Sequence, residues 1–540
     1  MSDTDIDIPP PPPRSEPLAP APSQALPAPQ EDSPTPGGML AEIFTSGVLR
    51  FPAFRRFWFG AAVSNIGNFM ESVGVRWLMT IICASAAWKA SDHPSGTMML
   101  AYLSSAQLAP MLILGIPGGL VADRVNRRLM LLWTQVMMMV IAGLLAIAAA
   151  TGHASPTLLL VLSVAQGITM AFNYPAWQVV IPKLVPRAEL GRAIALNSLA
   201  FNLARVVGPM AAGLLLALFS GVESPDASPD KINLDLVLRG AAVLFTVNTL
   251  SFLGVIFAVT KSPITPVPDR AASNGSWHMT AWEETRTAVS FVFTQRGPRA
   301  LFIGVVLFSV LGGSVLQMLP EFAVSVYHQK EAAYGTLLSL MGVGACLGAT
   351  TLHRVPHWYP RHHLIPLAMS AAAIGMIVFS CSTSMLIGAA IMPLIGFFWV
   401  WTFSSSIAAM QLLVDDVMRG RVMAVSNTAI FGGAAVGALL TGVISETFIR
   451  LAGGTVPAEQ LNGLGLQLGL GIPAALLFAA AMVMLIWRTP EVDGIRPGEP
   501  GYDRRPGLMR GITASAHRPD VAPRRHVKSP DESTDEPLGI

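Results

Sequence analysis

Apolar residues run along this chain in stretches of about twenty or more, each closed by a short polar turn. A helix of that length spans a hydrocarbon layer about 30 Å thick. Twelve such runs predict twelve helices, at 55–82, 97–122, 129–151, 156–181, 193–220, 239–260, 299–320, 332–353, 363–383, 385–411, 422–449 and 467–488. The flanks lack the pattern. Residues 1–45 hold five consecutive prolines, Pro9 to Pro13, and predict a disordered tail of polyproline character. Residues 489–540 are rich in Pro, Arg and Asp and predict a second tail. No charged segment followed by an apolar one stands in residues 1–40, so no cleavable signal peptide is expected. Between the sixth and seventh runs, 261–298 mixes Trp277, Trp282, Val289, Val292 and Phe293 with Glu283, Glu284, Arg286 and Arg296. That mixture predicts an amphipathic helix on a membrane surface, linking a bundle at 46–260 to one at 299–488.

Composition agrees with an all-α membrane protein. Of 540 residues, 52% are hydrophobic and only 13% charged, where soluble domains average about 25% charged. Mean hydropathy is +0.53. Lys and Arg favour one set of connections over the other by about three to one, which puts both termini on the cytoplasmic side of the inner membrane. Cys83, Cys346 and Cys381 lie in apolar runs, outside any disulfide framework or metal spacing. No Walker loop or nucleophile elbow is present, so ATP drive and hydrolysis lack support, and neither enzyme chemistry, a cofactor nor a nucleic-acid partner is expected.

The stretch Gly115 to Arg128, GIPGGLVADRVNRR, ends the second run with Gly119, Asp123, Arg124, Arg127 and Arg128 close together. Such charges are costly in hydrocarbon and retained at the cytoplasmic surface. Gly115, Gly118 and Gly119 leave room for a neighbouring helix. The pattern Gly-x-x-x-Asp-Arg-x-x-Arg-Arg resembles the loop between the second and third helices of major facilitator superfamily transporters. The resemblance implies a charge cluster that steadies one gate. The family usually has Gly where this chain has Asn126, a residue that tolerates a left-handed turn.

Two further observations support this resemblance. Shifted by about 229 positions, Gly115 and Gly119 fall on Gly344 and Gly348, Gly191-Arg192 on Gly420-Arg421, and Gly208 and Gly213 on Gly437 and Gly442. One register across two sixfold sets predicts two parallel six-helix pseudo-repeats with a path between them. The fifth run carries Gly208-Pro209 and Gly213, similar to the Gly-Pro element of proton-exchanging exporters. The stretches 54–79, 174–209 and 420–442 resemble the branch containing the enterobactin exporter and macrolide efflux proteins. The resemblance implies a secondary transporter, an antiporter whose partners are a small-molecule substrate, protons and the lipid bilayer. It also implies a cavity built from spans 1, 4, 5, 7, 10 and 11.

Polar residues within the runs are the candidate site. Asn68 and Glu71 share a face of the first span. An acid in hydrocarbon costs several kcal/mol to ionise, so Glu71 is the leading proton-coupling group. The alternative is an ion pair with Arg76 or Arg205. Arg205 could hold a substrate carboxylate or phenolate, or serve as a permanent inter-helix pair. Asn173, Tyr174, Trp177 and Gln178 offer hydrogen bonds and ring faces to an aromatic substrate, or a wet packing interface. Gln317 and Glu321 flank Pro320; Gln317 is read as cavity-lining and Glu321 as an exposed rim residue. His353, His357, His362 and His363 read as solvated or headgroup-facing, because Pro356 and Pro360 break their loop and no metal site is expected. The competing readings are an importer or lipid flippase of the same superfamily, or a non-transporting membrane scaffold.

Overall fold

The computed structural model describes residues 47–495, apart from 86–87, 89, 92, 123–124, 179, 221–232, 263–276, 357–358 and 454–455. The expected tail at 1–45, and residues 496–540 of the one expected at 489–540, therefore lie outside the described residues. Within them the chain is almost wholly helical and contains no strand. The first half consists of α1 (Pro52–Ala84), α2 (Gly96–Ala122), α3 (Arg127–Ala150), α4 (Pro156–Gln178), α5 (Leu190–Ser220) and α6 (Leu234–Thr260). Then come α7 (Trp277–Thr294), α8 (Arg296–Gly312) running on into α9 (Ser314–Ser325), α10 (Glu331–Leu352), α11 (Arg361–Cys381), α12 (Met385–Leu413), α13 (Asp416–Ala452) and α14 (Ala458–Ile486).

Eleven of these stretches are long and apolar enough to cross a membrane, with α8 and α9 counted together. The expected first span, α1, is not among them. Its 33 residues reach about 50 Å, but Arg55, Arg56, Asn65, Asn68, Glu71 and Arg76 lower its hydropathy. It is nonetheless packed among the others, against α5 and α6.

Packing repeats between the halves. In the first, α1 packs on α6, α2 on α4 and α3 on α6. In the second, α8–α9 pack on α14, α10 on α12 and α11 on α14. The seam between halves is made by α2 with α13 and α5 with α10, a pair of contacts that a two-fold exchange of the halves maps onto each other. Small residues bring the seam close. A Cβ on Gly213 would sit 3.2 Å from the Gly335 Cα, and one on Gly442 would sit 2.7 Å from the Ala101 Cβ. The 229-residue register holds for these two glycines, for Gly208 against α1, and for Gly437 against α8. It does not hold for the second span. Gly115 faces Thr428 of α13, whereas Gly344 meets the Pro393 carbonyl of α12. Glycine and alanine are frequent enough in membrane helices to match by chance there.

The core divides unevenly. At the end remote from the chain's described termini, one apolar cluster joins both halves and contains Trp77, Leu100, Phe245, Phe322, Tyr334 and Phe379. At the end that carries the termini there are two clusters. One holds Phe54, Phe57, Met130, Ala176 and Val259 of the first half, the other Ala288, Val292, Leu301, Met410 and Val422 of the second. The halves are thus joined at the far end and separate at the tail end. Helix α7 buries Ala288 and Val292 in the second half's own cluster, so its last turns lie against protein as well as any membrane surface. Pro490–Asp493, within the stretch expected as tail, forms a turn of 3-10 helix that packs Val492 into the same cluster. Asp493 accepts from the backbone N–H of Arg361 at 2.8 Å and His362 at 3.4 Å, capping α11.

Candidate functional site

A cavity of about 370 Å³ lies on the seam. Helices α1, α2, α3, α4 and α5 line it from one side, and α9, α10, α12 and α13 from the other. This includes every span expected from the resemblance and adds α2, α3 and α10. Asn68, Glu71, Arg205 and Gln317 all reach it. Arg76, Gln107 and Gln166 reach it too, and sequence reasoning did not select them as lining residues. An amide inside an apolar run was the available signal for both glutamines.

Helix α1 supplies the ionisable wall because its polar residues recur on one helical face. Glu71 is buried and its carboxylate accepts from the Asn248 amide of α6 at 2.5 Å. The absence of a side chain at Gly67 leaves the space that Asn248 fills. Neither expected ion pair of Glu71 forms. Arg76 instead donates to the Gln317 side-chain oxygen at 3.0 and 2.7 Å, to that of Gln107 at 3.1 Å and to the Ser72 carbonyl at 3.0 Å. Ser104 also donates to Gln317, at 3.3 Å. Arg76 and Gln317 therefore tie the two halves together. Just beyond them the buried Trp77 stacks on Tyr334, a residue of the cavity wall, with ring centroids 6.5 Å apart.

Arg205 points at the same space. Its guanidinium lies 5.5 Å from the Phe201 ring centre and is in no ion pair among the described residues. The side-chain oxygens of Asn68 and Gln166 are buried and accept no hydrogen bond from a described residue. Gly208, beside Arg205 on α5, lets that helix approach Phe69 and the Ile66 carbonyl of α1. The Pro209 carbonyl lies close to Gly335.

Several expected site residues lie elsewhere. Asn173 is buried and donates to the Thr134 hydroxyl at 2.8 Å, joining α4 to α3. Tyr174 meets Phe431, itself a cavity residue, edge-on at 6.0 Å. Trp177 packs on Phe57 at 4.9 Å in the first half's tail-end cluster. These three lie beyond Met170, the last residue of α4 on the cavity wall. The side chain of Gln178 is outside the described residues.

So are Asp123, Arg124 and the side chain of Arg127, which leaves the charge cluster undescribed in its main part. Arg128 donates to the Thr260 carbonyl at the end of α6, at 2.5 Å. Asn126 is not left-handed; with φ −56° it caps α3, its side chain accepting from the N–H of Arg128 and Leu129. Gly115 and Gly118 face Thr428 and the Ala171 carbonyl closely, but Gly119 has open space where a Cβ would go.

Glu321 is not a rim residue. It is buried, accepts from Ser325 at 2.7 Å and lies against Gly96 at the start of α2. Glu446 of α13 accepts from the neighbouring Ser95 N–H at 3.3 Å. Two acids of the second half thus face the N-terminus of α2, where the partial positive charge of a helix favours them. His362 and His363 are buried at the start of α11, His362 against Asp493, in place of the solvated setting expected. Tyr327, in the turn after α9, hydrogen-bonds Ser382 at 2.6 Å; burial raises its phenol above the usual range. No group of three or more His, Cys, Asp or Glu among the described residues could hold a metal ion.

Two six-helix bundles about a seam cavity define a transporter of the major facilitator superfamily, a multi-pass membrane protein. The family profile described as transmembrane secretion effector matches residues 45–224 and 233–498, and the chain belongs to that family. It is similar to the staphyloferrin A transporter of Staphylococcus aureus, 21% identical over 393 residues, covering 71% of this chain and 87% of that protein. It is also similar to the enterobactin exporter EntS of Citrobacter koseri, 24% identical over 358 residues, covering 65% and 78% respectively. Among solved structures, an inward-facing bacterial homologue of the human lysosomal transporter Spinster matches with TM-score 0.59 at 16% identity, over 81% of this chain and 99% of that one. A D-xylose–proton symporter matches with TM-score 0.58 at 15% identity, over 81% and 99%.

Proposed function

We propose that the protein exports a small amphipathic or aromatic molecule, drug-like or siderophore-like, across the inner membrane in exchange for protons. The observation that carries this is the seam cavity with one buried acid, Glu71, on its wall. Names of the relatives support the siderophore side of the reading. With both termini cytoplasmic, the tail end faces the cytoplasm and the joined far end faces outward. The described state is then open to the inside, and alternating access swings the halves about the cavity. Asp123 with Arg124, Arg127 and Arg128 would steady the opposite, cytoplasm-closed form. In this cycle Glu71 takes a proton from outside and gives it up inside, held meanwhile by Asn248.

The test is efflux into inverted membrane vesicles, with and without a pH gradient. Wild-type transport should rise with the gradient, and Glu71→Gln should transport at a rate indifferent to it. A Glu71→Gln protein that still follows the gradient assigns the proton to another group. Transport in the reverse direction under the same gradient identifies an importer.

A further inference from the structure

The cavity's charge lies entirely on one wall. The first half contributes Arg76, Arg205 and Glu71 together with Asn65, Asn68, Ser72, Gln107, Ser163 and Gln166. The second half contributes Leu316, Leu338, Met341, Trp399 and Phe431, with Gln317 and Tyr334 as its polar residues. Two arginines face one carboxyl, and that carboxyl is turned toward Asn248. Arginine stays cationic in proteins. Neither guanidinium is in ion-pair distance of a described carboxylate. Arg76 spends its donors on Gln317, Gln107 and Ser72. Arg205 spends none on a described acceptor and only lies over the Phe201 ring. Such a cation stands half-buried on the cavity wall with no described counter-charge in reach, and a bound anion would supply one.

We infer that the cavity binds an amphipathic anion in one orientation. Its carboxylate or phenolate sits at Arg205, in the positive field that Arg76 adds, and its apolar body lies against Met341, Trp399 and Phe431 of the second half. A planar fork suits such an oxygen pair, and ring faces suit an aromatic body. Because head and body are held by different halves, the ligand bridges the seam and is contacted from both sides. This deepens the transport reading and rests on the cavity being the transport site.

The experiment uses full-length protein in lipid nanodiscs and three naphthalene probes of like body and different charge. These are naphthalene-1-acetate, 2-(1-naphthyl)ethanol and (1-naphthylmethyl)trimethylammonium, each titrated by fluorescence. The anion should bind about ten-fold more tightly than the alcohol, the worth of one charge-assisted hydrogen bond, and the cation most weakly. Arg205→Gln should abolish the preference for the anion while leaving the alcohol's affinity within about two-fold; Arg205→Lys should restore part of it. Trp399→Ala should weaken the anion and the alcohol alike. Equal binding of anion and alcohol, strongest binding of the cation, or no saturable binding of the anion overturns the proposal. Glu71→Gln should keep the anion preference. Loss of gradient dependence can therefore fail, and with it the proton role, while the anion site stands, and the converse.

Discussion

Glycine decides locally where these helices can touch. At Gly344 a Cβ would run into the Pro393 carbonyl of α12, and backbone cannot rotate away as a side chain can. Gly119 has nothing within 4 Å. Gly344→Ala should therefore cost about 1–3 kcal/mol, the range for overpacking, and lower the thermal midpoint of the detergent-solubilised protein. Gly119→Ala should leave that midpoint unmoved, whatever it does to transport. Both glycines were singled out by one alignment, yet they have opposite tolerances. A one-dimensional match does not record what stands across from a residue. The same limit explains Glu321. From its own helix it reads as a charge near a span end, but Gly96 and the start of α2 in the other half cover it. Glu71 and Arg205 were legible because an ionisable group inside an apolar run is costly wherever it points, and both do reach the cavity.

Helix identity and order were legible from the length and apolarity of the runs. Helix ends and inner breaks were not. The seventh run divides at Gly312–Gly313 into α8 and α9, and α7 carries its buried face into the second half's core. The expected cavity face of α4 was placed too far along the helix, because Asn173, Tyr174 and Trp177 look as polar from sequence as Ser163 and Gln166 do. Element ends also carry a testable contact. Asp493 lies far outside α11 in sequence yet receives two of its free N–H groups. Asp493→Ala should destabilise the fold by about 1 kcal/mol, as loss of a helix cap does, and Asp493→Asn should recover part of it. Hydrogen exchange at Arg361 and His362 should quicken in the Ala variant.

At the scale of the molecule, two seam contacts exchange under the repeat, α2 with α13 and α5 with α10. A change at one should have a counterpart effect at the other. Cys83 offers a reporter, since its thiol is buried in the cluster that joins the halves. In membranes it should react slowly with a small maleimide. Gly442→Val, which would crowd Ala101 and Met98, should speed that reaction severalfold by loosening the far end, and Gly213→Val should do the same from the other contact. An unchanged rate in both would mean the far end does not open at these contacts.

The joined far end and divided tail end give the two rocking states different thermal behaviour. Parting the halves at the far end splits one shared apolar core and wets Trp77, Tyr334 and their neighbours, while bringing the tail ends together joins surfaces already finished as separate cores. Apolar association in water weakens as temperature falls. Chilling should then tilt the resting population toward the form parted at the far end, so that temperature alone selects which mouth of the cavity is open.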